Sequence, residues 1–334
     1  MTRVPPHRAP AAGAARAVQA FVVAATVVAA LAGGDAFADT ELRFEHDART
    51  RSALVHIPAT LAADTRPVPL VLNFHGGGGH AANQRAYSRM DRLADREGFI
   101  VAYPNGTGPL PDRLLTWNAG RCCGQAASRN VDDVGFVRAL IDRLADRWPI
   151  DRSRVYATGL SNGAMMSYRL AIELPDRIAA IAPVAGSMVA AGPGGRAMPI
   201  LHIHSVDDRR ALFAGGLGPP FPFTDVRVEH PDALEVLQRW AAFEACALPA
   251  VETAQRRGAA GSVGEGHSAT RLEFQGCRDG AEVVLWRLTG AGHVWPGGQP
   301  DFLPRLLGPG TDVIDANEEM WRFFSRFSLP RTRE

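Results

Sequence analysis

The stretch Thr158-Gly159-Leu160-Ser161-Asn162-Gly163 constrains this chain more than any other. A β-type run (154–158) leads into it and a helical run (162–174) leaves it, so the backbone must pass from strand to helix almost without a connection. Glycines on either side of Ser161 leave room where a Cβ would collide with the adjoining strand and helix. The serine hydroxyl then stands above a sheet edge. The Asn162 N–H falls at a helix N-terminus, where a backbone donor and the positive end of the dipole can meet an oxyanion. A loop of small residues around a buried serine has the same composition, so the reading depends on partners elsewhere in the chain.

The same alternation runs through the sequence. Residues 68–74 (VPLVLNF) predict a buried strand, 83–97 a helix with Met90, Leu93 and Ala94 on one face, and 99–103 a strand. Residues 132–148 predict an amphipathic helix with a Val134, Val137, Ile141, Leu144 stripe, acidic residues at its start and Pro149 after it. Strands are expected at 178–184, 200–204 and 282–288, and helices at 233–243 and 315–327. Strand and helix alternating at this spacing imply right-handed crossovers, hence an α/β fold with a mostly parallel central sheet covered by helices on both faces. No Pro/Ser/Gly tract, charge block or repeat divides the chain, which predicts one domain.

Charge narrows the function. All 36 basic residues are arginine, against 35 acidic ones, so lysine nucleophiles, Schiff bases and P-loop lysines are excluded. A balance so near zero argues against nucleic acid as a partner. At the N-terminus Arg3, Arg8 and Arg16 precede an apolar run (17–32), followed by the small-x-small pattern Ala36-Phe37-Ala38. Residues 1–38 therefore read as a secretory signal and 39–334 as the mature domain, because the run is short for spanning about 30 Å of hydrocarbon. Export to the extracellular space or periplasm follows, with no stable membrane insertion once the signal is removed. It also puts the four cysteines where disulfides persist. Cys246 and Cys277 are expected to pair. Adjacent Cys122 and Cys123 form either a vicinal bridge or two thiols.

A reactive serine needs an oxyanion donor, a base and an acid. His75-Gly76-Gly77-Gly78-Gly79 follows the 68–74 strand, and its bare backbone can approach a carbonyl oxygen; Gly77 is the expected second donor beside Asn162, with Gly78 the alternative. Among ten histidines His293 is the expected base, in Gly290-Ala-Gly-His-Val-Trp-Pro296 just past the last strand, whereas His267 lies in a Gly/Ser-rich stretch before that strand. The 200–204 strand runs into Ser205-Val206-Asp207-Asp208, which offers Asp208 as the orienting acid and Asp207 in reserve. The order Ser161, Asp208, His293 is that of α/β-hydrolases. Trp295 and Trp117 are candidate pocket walls, with core packing as the competing reading.

These residues resemble the secreted esterases grouped as polyhydroxybutyrate depolymerases and feruloyl esterases. The likeness extends over nearly the whole mature chain, through the His75–Gly79 loop, Tyr103-Pro-Asn-Gly106, Cys122-Cys123-Gly124, Val131-Asp-Asp-Val-Gly-Phe136, Gly159-Leu-Ser-Asn-Gly-Ala164 and Gly292-His-Val-Trp-Pro-Gly297. It implies a single α/β-hydrolase domain that cleaves carboxylic esters, with nucleophile, acid and base on Ser161, Asp208 and His293. One segment departs from the pattern: the family usually shows His-Gly-Thr-x-Asp, where this chain has His204-Ser-Val-Asp-Asp208. The resemblance implies small-molecule or oligomeric ester substrates in preference to solid polymer, since no separate substrate-binding domain is read in the chain. No cofactor and no obligate protein partner are expected.

Two other chemistries compete. His202 and His204 alternate on one strand and, with Asp207, offer a metal-dependent hydrolase; against this, the H-x-H-x-D-H spacing is missing. A non-catalytic carbohydrate-binding protein on the same fold is the other, because fold does not fix function.

Overall fold

The structure, a computed structural model, describes residues 39–63, 66–221 and 226–330. The expected signal, residues 1–38, lies outside them.

The chain opens with an antiparallel hairpin of β1 (Thr40–His46) and β2 (Arg49–His56). Then follow β3 (Val68–Phe74), α1 (Ala81–Ser88), α2 (Asp91–Glu97) and β4 (Ile100–Pro104). A short α3 (Gly124–Ser128) precedes α4 (Asp133–Arg147), β5 (Ile150–Leu160), α5 (Asn162–Glu173), β6 (Ala180–Val184) and β7 (Ile200–Ser205). Two short strands, β8 (Gly216–Leu217) and β9 (Glu229–His230), pair with each other ahead of α6 (Ala233–Phe243). The rest comprises β10 (Val251–Arg257), β11 (Ser268–Phe274), β12 (Val283–Thr289), α7 (Pro304–Leu307) and α8 (Ala316–Phe324).

Ten strands form one sheet in the order β1-β2-β4-β3-β5-β6-β7-β12-β11-β10. The middle pairings, from β4 to β12, are all parallel, and antiparallel strands close both flanks. Side chains on successive strand residues point to opposite faces, so each central strand feeds two cores. Leu70, Leu72 and Phe74 of β3 pack with Phe136, Leu140, Leu170 and Trp240, the helix layer of α4, α5 and α6. Val71, between them, packs on the other face with Leu93, Met320 and Phe324 of α2 and α8. Several helices start on an aspartate whose carboxylate accepts first-turn amides: Asp132 from Gly135, Asp232 from Leu234 and Glu235, Asp315 from Glu318.

The helix expected at 83–97 is two helices. Arg89 adopts a left-handed conformation (φ 54°), and the Ser88 carbonyl accepts from the Asn317 side chain instead of continuing the ladder. The strand expected at 154–158 extends over Ile150–Leu160. Among the described residues no helix is long and apolar enough to cross a membrane.

Candidate active site

At the carboxyl end of β5 the backbone reverses into α5 through Ser161, held at φ 58°, ψ −116°. A non-glycine residue there is strained by about 1–3 kcal/mol and persists only where its surroundings hold it. The hold is close packing against the end of β3. A Cβ at Gly159 would lie 2.6 Å from the Phe74 carbonyl oxygen, and one at Gly163 would lie 2.3 Å from it. Ser161 N–H donates to Val184 O on β6 (2.8 Å), which fixes the turn from the other side.

The loop after β3 is organised by His75. Its imidazole is buried, and burial pushes it down to about 4, so it is neutral at pH 7. Nδ1–H donates to Gly76 O (2.8 Å), and Nε2 accepts from Gly106 N–H (3.0 Å). Gly76 O also accepts from Gly79 N–H (3.0 Å). A trans peptide turns the next N–H to the opposite side, so this capture aims Gly77 N–H away from the loop's own carbonyls. Gly78 N–H is spent on Leu115 O (2.8 Å), whereas among the described residues Gly77 N–H has no protein partner. Asn162 N–H sits in the first turn of α5, where no intrahelical acceptor exists.

The two tryptophans do not line the cavity beside Ser161. Trp117 is fully buried, with its N–H on Asn162 Oδ1 (2.7 Å), its carbonyl accepting from Asn162 Nδ2 (3.1 Å), and its indole N–H on His75 O (3.0 Å). It ties the glycine loop to the start of α5. Trp295 is buried on the opposite face, donating from its backbone to Tyr87 Oη (2.9 Å) and from its ring to Asn317 Oδ1 (3.1 Å). Each is a large amphipathic side chain whose polar edge found a buried partner, which is the core-packing outcome.

Asp208 follows β7 and His293 follows β12, adjacent parallel strands, so their loops meet at one sheet edge. His293 Nδ1 is 2.7 Å from Asp208 Oδ2. Asp208 Oδ1 accepts from Arg210 N–H (2.7 Å) and Ala211 N–H (2.9 Å). Burial alone would raise the Asp208 carboxyl, but His293 and His204 beside it hold it well below the usual carboxylate range. Asp207 faces elsewhere: its Oδ2 accepts from Gly290 N–H (2.6 Å).

Ser161 and His293 open onto one cavity of about 540 Å³, floored by the His75–Gly79 loop. Its walls are mostly apolar: Tyr87, Leu114, Phe221, Phe302, Leu303 and Leu306. Tyr87 and Phe302 stack with centroids 4.3 Å apart, while Leu114 and Leu303 are more than half exposed at the rim. His293 N–H donates to Leu307 O (2.6 Å), so the wall carried by α7 is stitched to the loop of the candidate base. These wall residues escaped the sequence reading, although Phe302-Leu303-Pro304-Arg305-Leu306-Leu307 is an apolar cluster inside a Gly/Pro-rich loop. In the Gly/Pro-rich stretch 215–222, Phe221 lines the cavity and Pro222 lies outside the described residues.

Cys246 bridges Cys277, and Cys122 bridges Cys123. His202 and His204 do not converge with Asp207 on a common point. They contact each other (Nε2 to Nδ1, 3.1 Å), and no group of three or more potential ligands is placed to hold a metal ion among the described residues. The metal-dependent alternative loses its donor set to hydrogen bonds.

The sheet, its helix layers and the serine on a strand-to-helix turn make this an α/β-hydrolase fold, and its family relatives make it a carboxylic ester hydrolase. An acetyl xylan esterase from Aspergillus awamori shares the fold at a TM-score of 0.56 and 16% identity, over 86% of this chain and 99% of that one. Putative esterase NocK of Nocardia uniformis subsp. tsuyamanensis is 30% identical over 269 residues, 78% of this chain and 75% of that protein. Feruloyl esterase B of Piromyces equi is 27% identical over 293 residues, 84% of this chain but only 46% of that longer protein. Residues 52–217 match the family described as esterase PHB depolymerase, and the chain belongs to that family.

Proposed function

We propose that the chain is an exported serine esterase in which Ser161 attacks the ester carbonyl, His293 is the base and Asp208 orients it. The observation that carries this reading is the 2.7 Å contact between His293 Nδ1 and Asp208 Oδ2, with His293 opening on the cavity that holds Ser161. An Nδ1–H given to the carboxylate leaves the Nε2 lone pair to take the serine proton. Gly77 N–H and Asn162 N–H are the donors for the developing oxyanion. His293 then protonates the leaving alcohol, and water repeats the sequence on the acyl-enzyme. Residues 1–38 as a signal and 39–334 as the mature domain complete the reading, and the two disulfides support an oxidising destination.

The apolar wall favours esters whose acyl group is apolar or aromatic, the class that includes feruloyl and hydroxybutyrate esters, over small charged acids. The test is Ser161→Ala assayed on p-nitrophenyl butyrate, with methyl ferulate and hydroxybutyrate oligomers in parallel. Turnover is expected to fall by at least about 10³-fold while the circular dichroism stays unchanged. Activity retained in that variant sinks the assignment.

A further inference from the structure

Behind Asp208 lies a row of buried polar side chains that the triad does not use. His202 and His204 stand two apart on β7 with the same facing, and Tyr168 of α5 reaches the first of them: Tyr168 Oη is 2.9 Å from His202 Nδ1. His202 Nε2 is 3.1 Å from His204 Nδ1. His204 Nε2 is 2.8 Å from Ala211 O and 3.2 Å from Asp208 Oδ2. All three side chains are at most 1% exposed.

One carbonyl fixes the proton that faces Asp208. Ala211 O can only accept, so His204 Nε2 carries hydrogen and shares it between that carbonyl and Asp208 Oδ2. With one proton on that ring, its Nδ1 accepts from His202 Nε2–H. His202 Nδ1 is in turn bare and accepts from the Tyr168 hydroxyl. Burial, reinforced by His204, holds His202 well below its ordinary value, and burial keeps the Tyr168 phenol protonated. Asp208 accepts three N–H groups, two backbone amides on Oδ1 and His293 on Oδ2, and His204 Nε2–H lies 3.2 Å from the same Oδ2.

We propose that His204, oriented by His202 and Tyr168, is a positioning residue for the reaction: its Nε2–H locks the Asp208 carboxylate and damps the basicity of the oxygen that faces His293. This rests on the triad reading above. A carboxylate oxygen stripped of one of its two donors attracts the His293 Nδ1–H more strongly, which stabilises the imidazolium and delays its deprotonation to higher pH. The other ionisable groups near this oxygen are His230 on β9, which burial lowers to about 4, and Asp207, which is turned to Gly290. Neither replaces the lost donor.

The experiment is the pH profile of kcat/KM on p-nitrophenyl butyrate for the full chain and the variants His204→Leu, His204→Gln and Tyr168→Phe. His204→Leu is expected to move the acid limb upward by about one pH unit and to lower kcat about 10–100-fold, with KM within about threefold, because the residue never meets substrate. His204→Gln keeps an N–H donor for the carboxylate and is expected to restore the limb. Tyr168→Phe should shift it upward by a few tenths of a unit, and it decides the matter should His204→Leu fail to fold. An acid limb identical to the unmodified protein's in His204→Leu, or in Tyr168→Phe where the former is unavailable, overturns the proposal. So does His204→Gln behaving as His204→Leu does. Ser161→Ala in the same assay separates the two readings: activity surviving there overturns the triad and this inference together, while a dead Ser161→Ala beside an unshifted His204→Leu overturns this inference alone.

Discussion

Asn162 shows how one side chain can do the work of a missing strand. Its amide gives Trp117 both an acceptor and a donor, so a loop residue buried at 0% exposure leaves neither backbone group unpaired. Asn162→Leu strands the Trp117 N–H, while the Trp117 carbonyl keeps the Cys123 N–H (3.0 Å), and is expected to destabilise the protein by about 1–3 kcal/mol, the usual cost of stranding one buried polar group. Urea midpoints measure this; a loss under ~0.5 kcal/mol would mean that water reaches Trp117. The sequence told the helix-start role of Asn162 from its place after Ser161, because local order implies it. It was silent on the side chain, whose partner lies 45 residues away. The same limit explains Trp117 and Trp295: an indole can pack in a core or line a pocket, and only its neighbours decide. That Gly78 N–H is taken up by Leu115 O is likewise a contact outside the motif.

At the scale of elements, the parallel centre was legible and the flanks were not. β3, β6, β7 and β12 are buried on both faces and read as continuous apolar runs, the one strand signature that needs no partner. β10, by contrast, is VETAQRR, exposed at nearly every position, and β1 alternates half-buried with exposed residues. Such edge strands carry their information in backbone pairing, which hydropathy does not record. The edge at β10 gains a covalent tether instead. Cys246, just after α6, bridges Cys277, just before β12, closing a 31-residue separation around the β10–β11 hairpin. Loop-closure entropy puts the stabilisation at about 3–4 kcal/mol. The double variant Cys246→Ser/Cys277→Ser should lose that amount in guanidinium unfolding, with the loss independent of added reductant. An unchanged midpoint would show that the hairpin is held by sheet pairing alone.

For the molecule as a whole, the buried histidines set a pH window. Burial holds His75 and His230 at about 4 and His202 well below its ordinary value, against about 6.5 for each in the unfolded chain. A depressed folded value means the stabilisation is complete above pH 6.5 and drains away below it, as the unfolded chain takes up protons that the folded one refuses. Each group contributes a slope of about 1.4 kcal/mol per pH unit between 6.5 and its folded value. His75 and His230 together remove roughly 3–4 kcal/mol by pH 5, and His202 adds to the loss, a large share of an ordinary domain's 5–15 kcal/mol. His56 has the opposite sign. Although its own burial disfavours charge, Asp91, Asp39 and Asp95 raise it, so its stabilisation is complete below pH 6.5 and fades above. Asp208, depressed for its own reasons, matters only below the ordinary carboxylate range. Stability should therefore peak near pH 6.5–7 and fall steeply on the acid side. Urea midpoints from pH 8 to 4.5 measure the curve, and His75→Gln, which can still donate to Gly76 O and accept from Gly106 N–H, should flatten the acid limb by about one proton. A curve that is level from pH 7 to 5 would mean that these imidazoles take up protons in the folded protein, with His75 Nε2 then unable to accept from Gly106 N–H.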